Sequence, residues 1–458
     1  MPTGSGACWK GAYSVAREIL GDYLAAVGDQ IRWRRARGPL LRELSDHIAD
    51  QAADYQAQGL EERDALDRAV AEMGDPETVG KDLDRLHRPK NCWWLALAAL
   101  LLALAGLLLQ FMTYQASGQG MMDLYARQAV WVPIALALLC GMWFSDCTLL
   151  LRRWWAVVLT IAAVVWAVLG TNGTWRPTAL YVALLLPVLY AALLCRLRGK
   201  GTATVLLCAL AAWVLPLPAL LVPSSAAYLL SGAVMTLVLL AAAGLGWFAG
   251  KRWKHLLLSL TPTLLYFGIL LLLVRQHSSL LRRLTVFLHP ELEPNGAGYL
   301  FLHLRQGPDP DLFGNVLGST DLMLAFLARQ AGRWVFLLTA VLLALAALLL
   351  LRRVARLRSR TGKLLALSAL LPLLLQGVFY LLFNLGYFPW VPLSLPFLSF
   401  GVAYLLLNSL LMGVLLSVFR MDVLLRDGLC DRSHASLHHR LELPLGPVTL
   451  SIRFHRPT

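Results

Sequence analysis

A polar stretch from about Leu280 to Asp321, set between long apolar runs, gathers the residues best suited to chemistry. Arg282 and Arg283 come first, and Glu291 and Glu293 follow closely. Adjacent guanidinium groups can clamp an anionic, phosphorylated group through charge-assisted hydrogen bonds, while a neighbouring carboxylate accepts a proton. The same spacing is met by a solvated loop with surface ion pairs, which is the commoner occurrence, so spacing alone leaves both readings open. Asp321, after Ser319-Thr320, falls where a helix N-terminal turn favours a carboxylate in any case.

What positions this stretch is a membrane. Only 15% of the 458 residues are charged, against about 25% in ordinary soluble proteins, and the mean hydropathy is +0.62. About ten apolar runs are each near the length needed to cross a bilayer core: residues 92–112, 128–145, 154–170, 178–195, 203–222, 227–248, 255–274, 334–351, 364–386 and 396–419. The pattern predicts an all-α, polytopic membrane protein. Short connections carrying Arg152-Arg153, Arg196/Arg198/Lys200, Lys251/Arg252/Lys254 and the Arg352-to-Lys363 cluster alternate with nearly uncharged ones around Asn172, Ser224 and Pro389. Positive residues stay inside, so both termini are expected in the cytoplasm and the polar segment, within a loop over 275–333, outside.

That bias also accounts for the net charge of +14, which therefore does not indicate nucleic acid. Span interiors almost free of Asp, Glu, Lys and Arg weigh against an ion-coupled transporter. Seven cysteines without CxxC spacing argue against a disulfide framework or zinc site. Asn384, Gln376 and Asn408 lie within spans and are expected to hydrogen-bond between helices. Gly298 and Gly314 read as turn residues.

Residues 1–90 are punctuated differently. Gly38-Pro39 suggests the start of a helix with Leu40, Leu41, Leu44, Ile48 and Ala52 at helical spacing. Gly59 ends it, a second helix runs over 61–73, and Gly74-Asp75-Pro76 stops that one and caps a third, to about His87. The expectation is a small cytoplasmic helical bundle. Gln30-Ile31-Arg32, Glu43 to Ile48, Gly59 to Glu62, Ala69-Val70 and Met73 to Gly80 resemble the permease prefix domain of bacterial membrane proteins, which implies an accessory or sensing module. The tail, 426–458, holds two alternating stretches, Leu441–Leu445 and 447–454, that could pair as a hairpin. His434, His438, His439 and His455 lie in that Arg-rich tail without acidic or Cys partners.

Three stretches, in order and spacing, resemble the SEDS proteins, the FtsW/RodA/SpoVE family. They are Leu288-His289-Pro290-Glu291-Leu292-Glu293-Pro294-Asn295-Gly296-Ala297-Gly298-Tyr299, Thr320-Asp321-Leu322-Met323-Leu324-Ala325, and Leu395-Pro396-Phe397-Leu398-Ser399-Phe400-Gly401. Asn384-Leu385-Gly386 and Met412-Gly413 fit as well. The resemblance implies peptidoglycan synthesis in the bacterial cytoplasmic membrane, linked to division, shape or sporulation: polymerisation of lipid II, or another undecaprenyl-linked substrate, by glycosyl transfer at the outer face. It implies membrane lipid around the spans and a penicillin-binding transpeptidase as partner.

The family's loop carboxylate is an Asp before Pro, and Glu293 stands in its place to deprotonate or orient the acceptor hydroxyl. Arg282 and Arg283 would steady the diphosphate, and Glu291, Asp321 and Ser399 are the further substrate contacts. No cofactor is certain; the family pattern allows a divalent cation, Mg or Mn. The chain departs from that pattern at Arg176-Pro177-Thr178-Ala179-Leu180 and Pro223-Ser224-Ser225-Ala226, where a carboxylate is missing in each, and at Gly401-Val402-Ala403-Tyr404. Those losses keep open a catalytically silent scaffold that recruits the transpeptidase, and a carrier or flippase of a polyprenyl-linked intermediate.

Overall fold

The computed structural model describes residues 20–89, 92–117, 122–147, 176–217, 219, 225–276, 278–306, 322–390, 394–399, 401–422, 441–445 and 448–452. The chain divides into two compact units, Met1–Asn91 and Cys92–Thr458.

In the first unit, helical residues 20–30 lead into α1 (Arg34–Ala57), α2 (Glu62–Met73) and α3 (Pro76–His87). The first helix starts before Gly38-Pro39 and runs through the proline. Its opening turn is closed by Trp33 O, which accepts from the N–H groups of Ala36 and Arg37. Ala36 and Leu40 are buried on either side of Pro39, and that packing outweighs the proline's lost bond. Leu40, Ile48 and Ala52 make the buried stripe of α1, and Ala65 and Ala69 that of α2, the helix packed against it. His47 is exposed. Asp75 caps α3 by accepting from Thr78 N at 2.9 Å and Thr78 Oγ1 at 2.8 Å. A Cβ at Gly80 would meet Gln30 Cβ at 2.6 Å, so only glycine lets α3 lie this close to residues 20–30.

The second unit is a bundle of apolar helices: α4 (Trp93–Ser117), α5 (Met122–Phe144), α6 (Arg176–Arg196), α7 (Thr202–Val214), α8 (Ser225–Gly244) and α9 (Arg252–Gln276). Then follow the short α10 (Ser278–Leu288), α11 (Tyr299–Gln306) and α12 (Met323–Ala331), and the long α13 (Trp334–Ala355), α14 (Arg360–Asn384) and α15 (Val402–Met421). Among the described residues, nine helices fall on nine of the ten expected spans; the other, 154–170, lies outside them. Trp93–Phe111, Ala226–Gly244, Trp334–Ala355, Arg360–Asn384 and Val402–Met421 are long and apolar enough to cross a membrane. The protein is an all-α, multi-pass membrane protein, with β1 (Leu441–Leu445) and β2 (Val448–Ile452) pairing antiparallel near its end.

Two spans fall furthest short of an expected bound. The run expected over 203–222 stops as a helix at Val214, just before Pro216 and Pro218. The run expected from 396 becomes helical only at Val402. Residues 394–399 form a turn instead, with Phe397 at φ 64° and Gly401 at φ 140°, conformations that interrupt a helix.

α14 is the central element, packed against α6, α8, α12, α13 and α15. Close crossings rely on small residues: a Cβ at Gly413 of α15 would meet Met142 Cβ of α5 at 2.6 Å, and one at Gly106 of α4 would meet Leu398 O at 2.6 Å. Asn384 does link two helices, but Gln376 and Asn408 do not. Both of the latter are buried with no hydrogen-bond partner for their side-chain amides among the described residues.

Candidate functional site

The described residues of the expected loop after α9 are largely helical. α10 carries Arg282 and Arg283 and buries Val286. It ends at Leu288, and Pro290 then starts a one-turn 3-10 helix, Pro290–Leu292, with the proline buried. The chain reverses there. Glu293 O accepts from both Gly296 N and Gly298 N, at 3.1 and 3.2 Å, and α11 follows at Tyr299. Gly298 has a steric reason beyond a simple turn: a Cβ there would sit on the carbonyl of Pro290 and 2.9 Å from Glu293 O.

This reversal brings Glu293 back onto α10. Arg282 Nε donates to Glu293 Oε1 at 2.5 Å and Nη2 to Oε2 at 2.9 Å, a bidentate pair. The Glu293 side chain is 24% exposed and that of Arg282 70%. Those two bonds hold the Glu293 carboxyl below its ordinary range, with the Arg282 charge and the Ala297 backbone acting in the same direction and partial burial opposing them. The Arg282 guanidinium is correspondingly raised. Glu293 is therefore ionised at neutral pH and already has a cation on both oxygens.

The other sequence candidates are placed differently. Arg283 and Glu291 lie exposed on the same turn-and-helix unit. Ser399 is buried in the turn before α15, its hydroxyl donating to Leu395 O at 3.2 Å. Asp321 lies outside the described residues, as do Gly314 and the four tail histidines. The structure thus joins Arg282 to Glu293. Both Glu293 oxygens are on Arg282, and among the described residues no group of three or more His, Cys, Asp or Glu comes together.

Sequence reasoning missed Arg305, on α11. Its Nη2 donates to Phe287 O at 2.6 Å and its Nε to Gly386 O at 3.0 Å, with a longer approach of Nη1 to Leu288 O. It also lies over the rings of Phe287 and Tyr387, each at 5.2 Å. One guanidinium thus satisfies carbonyls at the C-terminal ends of α10 and α14, where a cation is favoured. Phe287 packs edge-on to Phe301 of α11, and Arg333 Nη2 donates to Gln306 O at 2.7 Å at α11's other end.

No sequence signal marks Arg305; its counterpart at the end of α14 is Gly386. This residue has φ 82°, and a Cβ on it would meet Arg305 Cγ at 3.0 Å. Two residues earlier, Asn384 Oδ1 accepts from Ala325 N at 3.1 Å while its Nδ2 donates to Tyr380 O at 3.0 Å. Asn384 so caps α12, whose own N-cap residue, Leu322, makes no side-chain bond. The end of α14 thus anchors α11 and α12 directly, and α10 through Arg305.

Residues 316–422 match the family model FTSW_RODA_SPOVE, described as a cell cycle protein. That match includes Asn384, Gly386 and Ser399 but begins after Arg282 and Glu293. The chain is similar to two proteins each described as a probable peptidoglycan glycosyltransferase FtsW. The one from Trichlorobacter lovleyi is 27% identical over 202 residues, 41% of this chain and 50% of the relative. The one from Hydrogenovibrio crunogenus is 28% identical over 205 residues, 40% of this chain and 50% of the relative. The chain spans about half the length of these curated relatives. Its fold is similar to a chain in a solved structure titled "Structural coordination of polymerization and crosslinking by a peptidoglycan synthase complex". The TM-score is 0.52 and the identity 21%, with 72% of this chain and 98% of that chain covered.

Proposed function

We propose that this chain is a member of the FtsW/RodA/SpoVE family of membrane proteins and that it polymerises lipid II in bacterial peptidoglycan synthesis, a reading supported by the match over residues 316–422. The carrying observation is the Arg282–Glu293 pair, held on a turn that Gly298 and Arg305 keep in place. By the distribution of cations, both termini and the basic connections face the cytoplasm, and α10 to α12 lie at the outer surface.

The pair supplies a resting state. A carboxylate held below its ordinary range by a guanidinium is a poor proton acceptor. A diphosphate arriving beside Arg282 and Arg283 competes for the same guanidinium, which binds phosphate as readily as carboxylate. As Arg282 turns to the diphosphate, Glu293 loses the interaction that depresses it, and its affinity for a proton rises. The freed carboxylate then orients and deprotonates the sugar hydroxyl that attacks the anomeric carbon, while the undecaprenyl diphosphate departs toward the two arginines. Substrate binding and base activation are in this way one event.

A second reading, a silent scaffold that binds a penicillin-binding transpeptidase, draws on the same pair. If Arg282 never leaves Glu293, the segment is a rigid docking surface. The test is lipid II polymerisation by the purified protein, alone and with a transpeptidase partner, comparing wild type with Glu293→Gln. Strands made by wild type and absent from Glu293→Gln support the enzyme. No strands from folded wild type in a partner assay that works with another polymerase would overturn it in favour of the scaffold.

A further inference from the structure

At the far end of α14 from Glu293, a cavity of about 310 Å³ opens between α8, α13 and α14. Gly244, Leu245, Leu351, Val354 and Leu367 line it, with Lys363 as its single charged residue. The walls are apolar, and the rim is cationic. Arg360 Nη1 donates to Leu245 O at 3.2 Å. The Arg252 guanidinium lies over Gly246, where its Nε would be 3.1 Å from an added Cβ. Three cations therefore come to the rim near Leu245 and Gly246.

None of Arg252, Arg360 and Lys363 forms an ion pair with a carboxylate among the described residues. The sequence from Thr148 to Pro290 contains no Asp or Glu at all. The rim also includes the N-terminus of α14, capped by Ser359, whose positive end adds to the field. Cations without a carboxylate partner among the described residues, around an apolar cleft at the end of a membrane helix, complement a ligand with a negative head and a hydrocarbon tail. Free phosphate would use the rim and leave the cleft without purpose, and a neutral lipid would leave the cations unmatched.

We propose that this cavity is a binding site for an anionic phospholipid, one acyl chain entering between α8, α13 and α14 and the phosphate lying among Arg252, Arg360 and Lys363. Basic pockets between transmembrane helices take such headgroups, and Lys363 lays its stem along the wall while its ammonium reaches the interface. Gly244 is the entry point for a test: a Cβ added there meets nothing within 4 Å, so a larger side chain grows into open cavity instead of into packed protein.

The test is native mass spectrometry of the full chain, released from nanodiscs of mixed phosphatidylglycerol and phosphatidylcholine, for wild type, Gly244→Leu, Lys363→Gln and the control Lys81→Gln, a lysine of α3 that is already paired with Glu77. Wild type and Lys81→Gln are expected to retain phosphatidylglycerol in preference to phosphatidylcholine. Lys363→Gln weakens that retention about fivefold, the effect of one cation at the interface, and Gly244→Leu removes the preference. Inorganic phosphate at millimolar concentration leaves retention unchanged. Equal retention of both lipids by wild type would overturn the proposal, as would retention unaltered in both cavity variants. Displacement by inorganic phosphate alone would also overturn it, because it would make the rim a simple anion site.

Discussion

Arg305→Met should release α10 and α11 from the end of α14 without unfolding the bundle. The wild-type guanidinium makes two good hydrogen bonds, to Phe287 O and Gly386 O, and lies over two rings. A hydrogen bond from a charged donor contributes about 1.5–3 kcal/mol, and an exposed cation–ring contact about 0.5–1 kcal/mol. The lower values apply, since the carbonyls at this part-buried position regain water when the arginine goes, and the four contacts share one group and do not add fully. A net loss of about 2–3 kcal/mol is expected, equivalent to a rise of about 30- to 150-fold in the open population. Hydrogen–deuterium exchange on the protein in nanodiscs reads this directly. Amides of residues 286–305 should exchange faster by that factor in Arg305→Met, while those of α8 and α15 keep wild-type rates. An increase of less than about threefold in residues 286–305 would refute the assignment of Arg305 as the tie between these helices.

Two other consequences concern the turn and its charge. Gly298→Ala places a methyl on the carbonyl of Pro290, so the turn must shift; a displacement near 1 Å at a reacting group lowers rate by about a hundredfold, which a lipid II polymerisation assay would show with the melting temperature of the bundle nearly unchanged. Arg282→Gln removes the largest cause of the lowered Glu293 carboxyl. In wild type the pair contributes its stability above the ordinary carboxylate pKa and loses it only as the pH falls through the lower, folded value. In Arg282→Gln the carboxyl of the free protein protonates nearer its ordinary value, so the acid limb of the normalised kcat/KM profile should move to higher pH; an unmoved limb would show that Glu293 is not the titrating group.

Much of the membrane architecture was legible because twenty-residue apolar runs and basic connections are dictated by the bilayer itself. Punctuation was read well where one residue decides it, as at Gly59 and Gly74 with φ 96° and 87° and at the Asp75 cap. It failed at Pro39, where burial of Ala36 and Leu40 prevails over a local breaker, and at Phe397, whose left-handed conformation no side-chain preference announces. Arg282 and Glu293 are visible as residue types, but their pairing depends on a chain reversal held by the tight packing at Gly298 and by the Arg305 bonds. Arg305 could not be singled out among many arginines, because its partners are backbone carbonyls up to 81 positions away. Hydrogen bonds of that kind leave no pattern in the donor's own neighbourhood.

The central claim, that Glu293 performs chemistry and is not merely the counter-ion of Arg282, is tested most directly by exchanging the two charges. The double variant Arg282→Glu with Glu293→Arg can rebuild an ion pair across the same turn while moving the carboxylate onto α10. Lipid II polymerisation should then be measured beside wild type, Glu293→Gln and Glu293→Asp, with hydrogen exchange over residues 286–305 as the check on folding. The expected result is wild-type protection of the segment in the exchanged variant but no glycan strands, with strands persisting in Glu293→Asp. Strand synthesis restored by the exchange would contradict the account, because it would show that the pair is needed only to hold the turn.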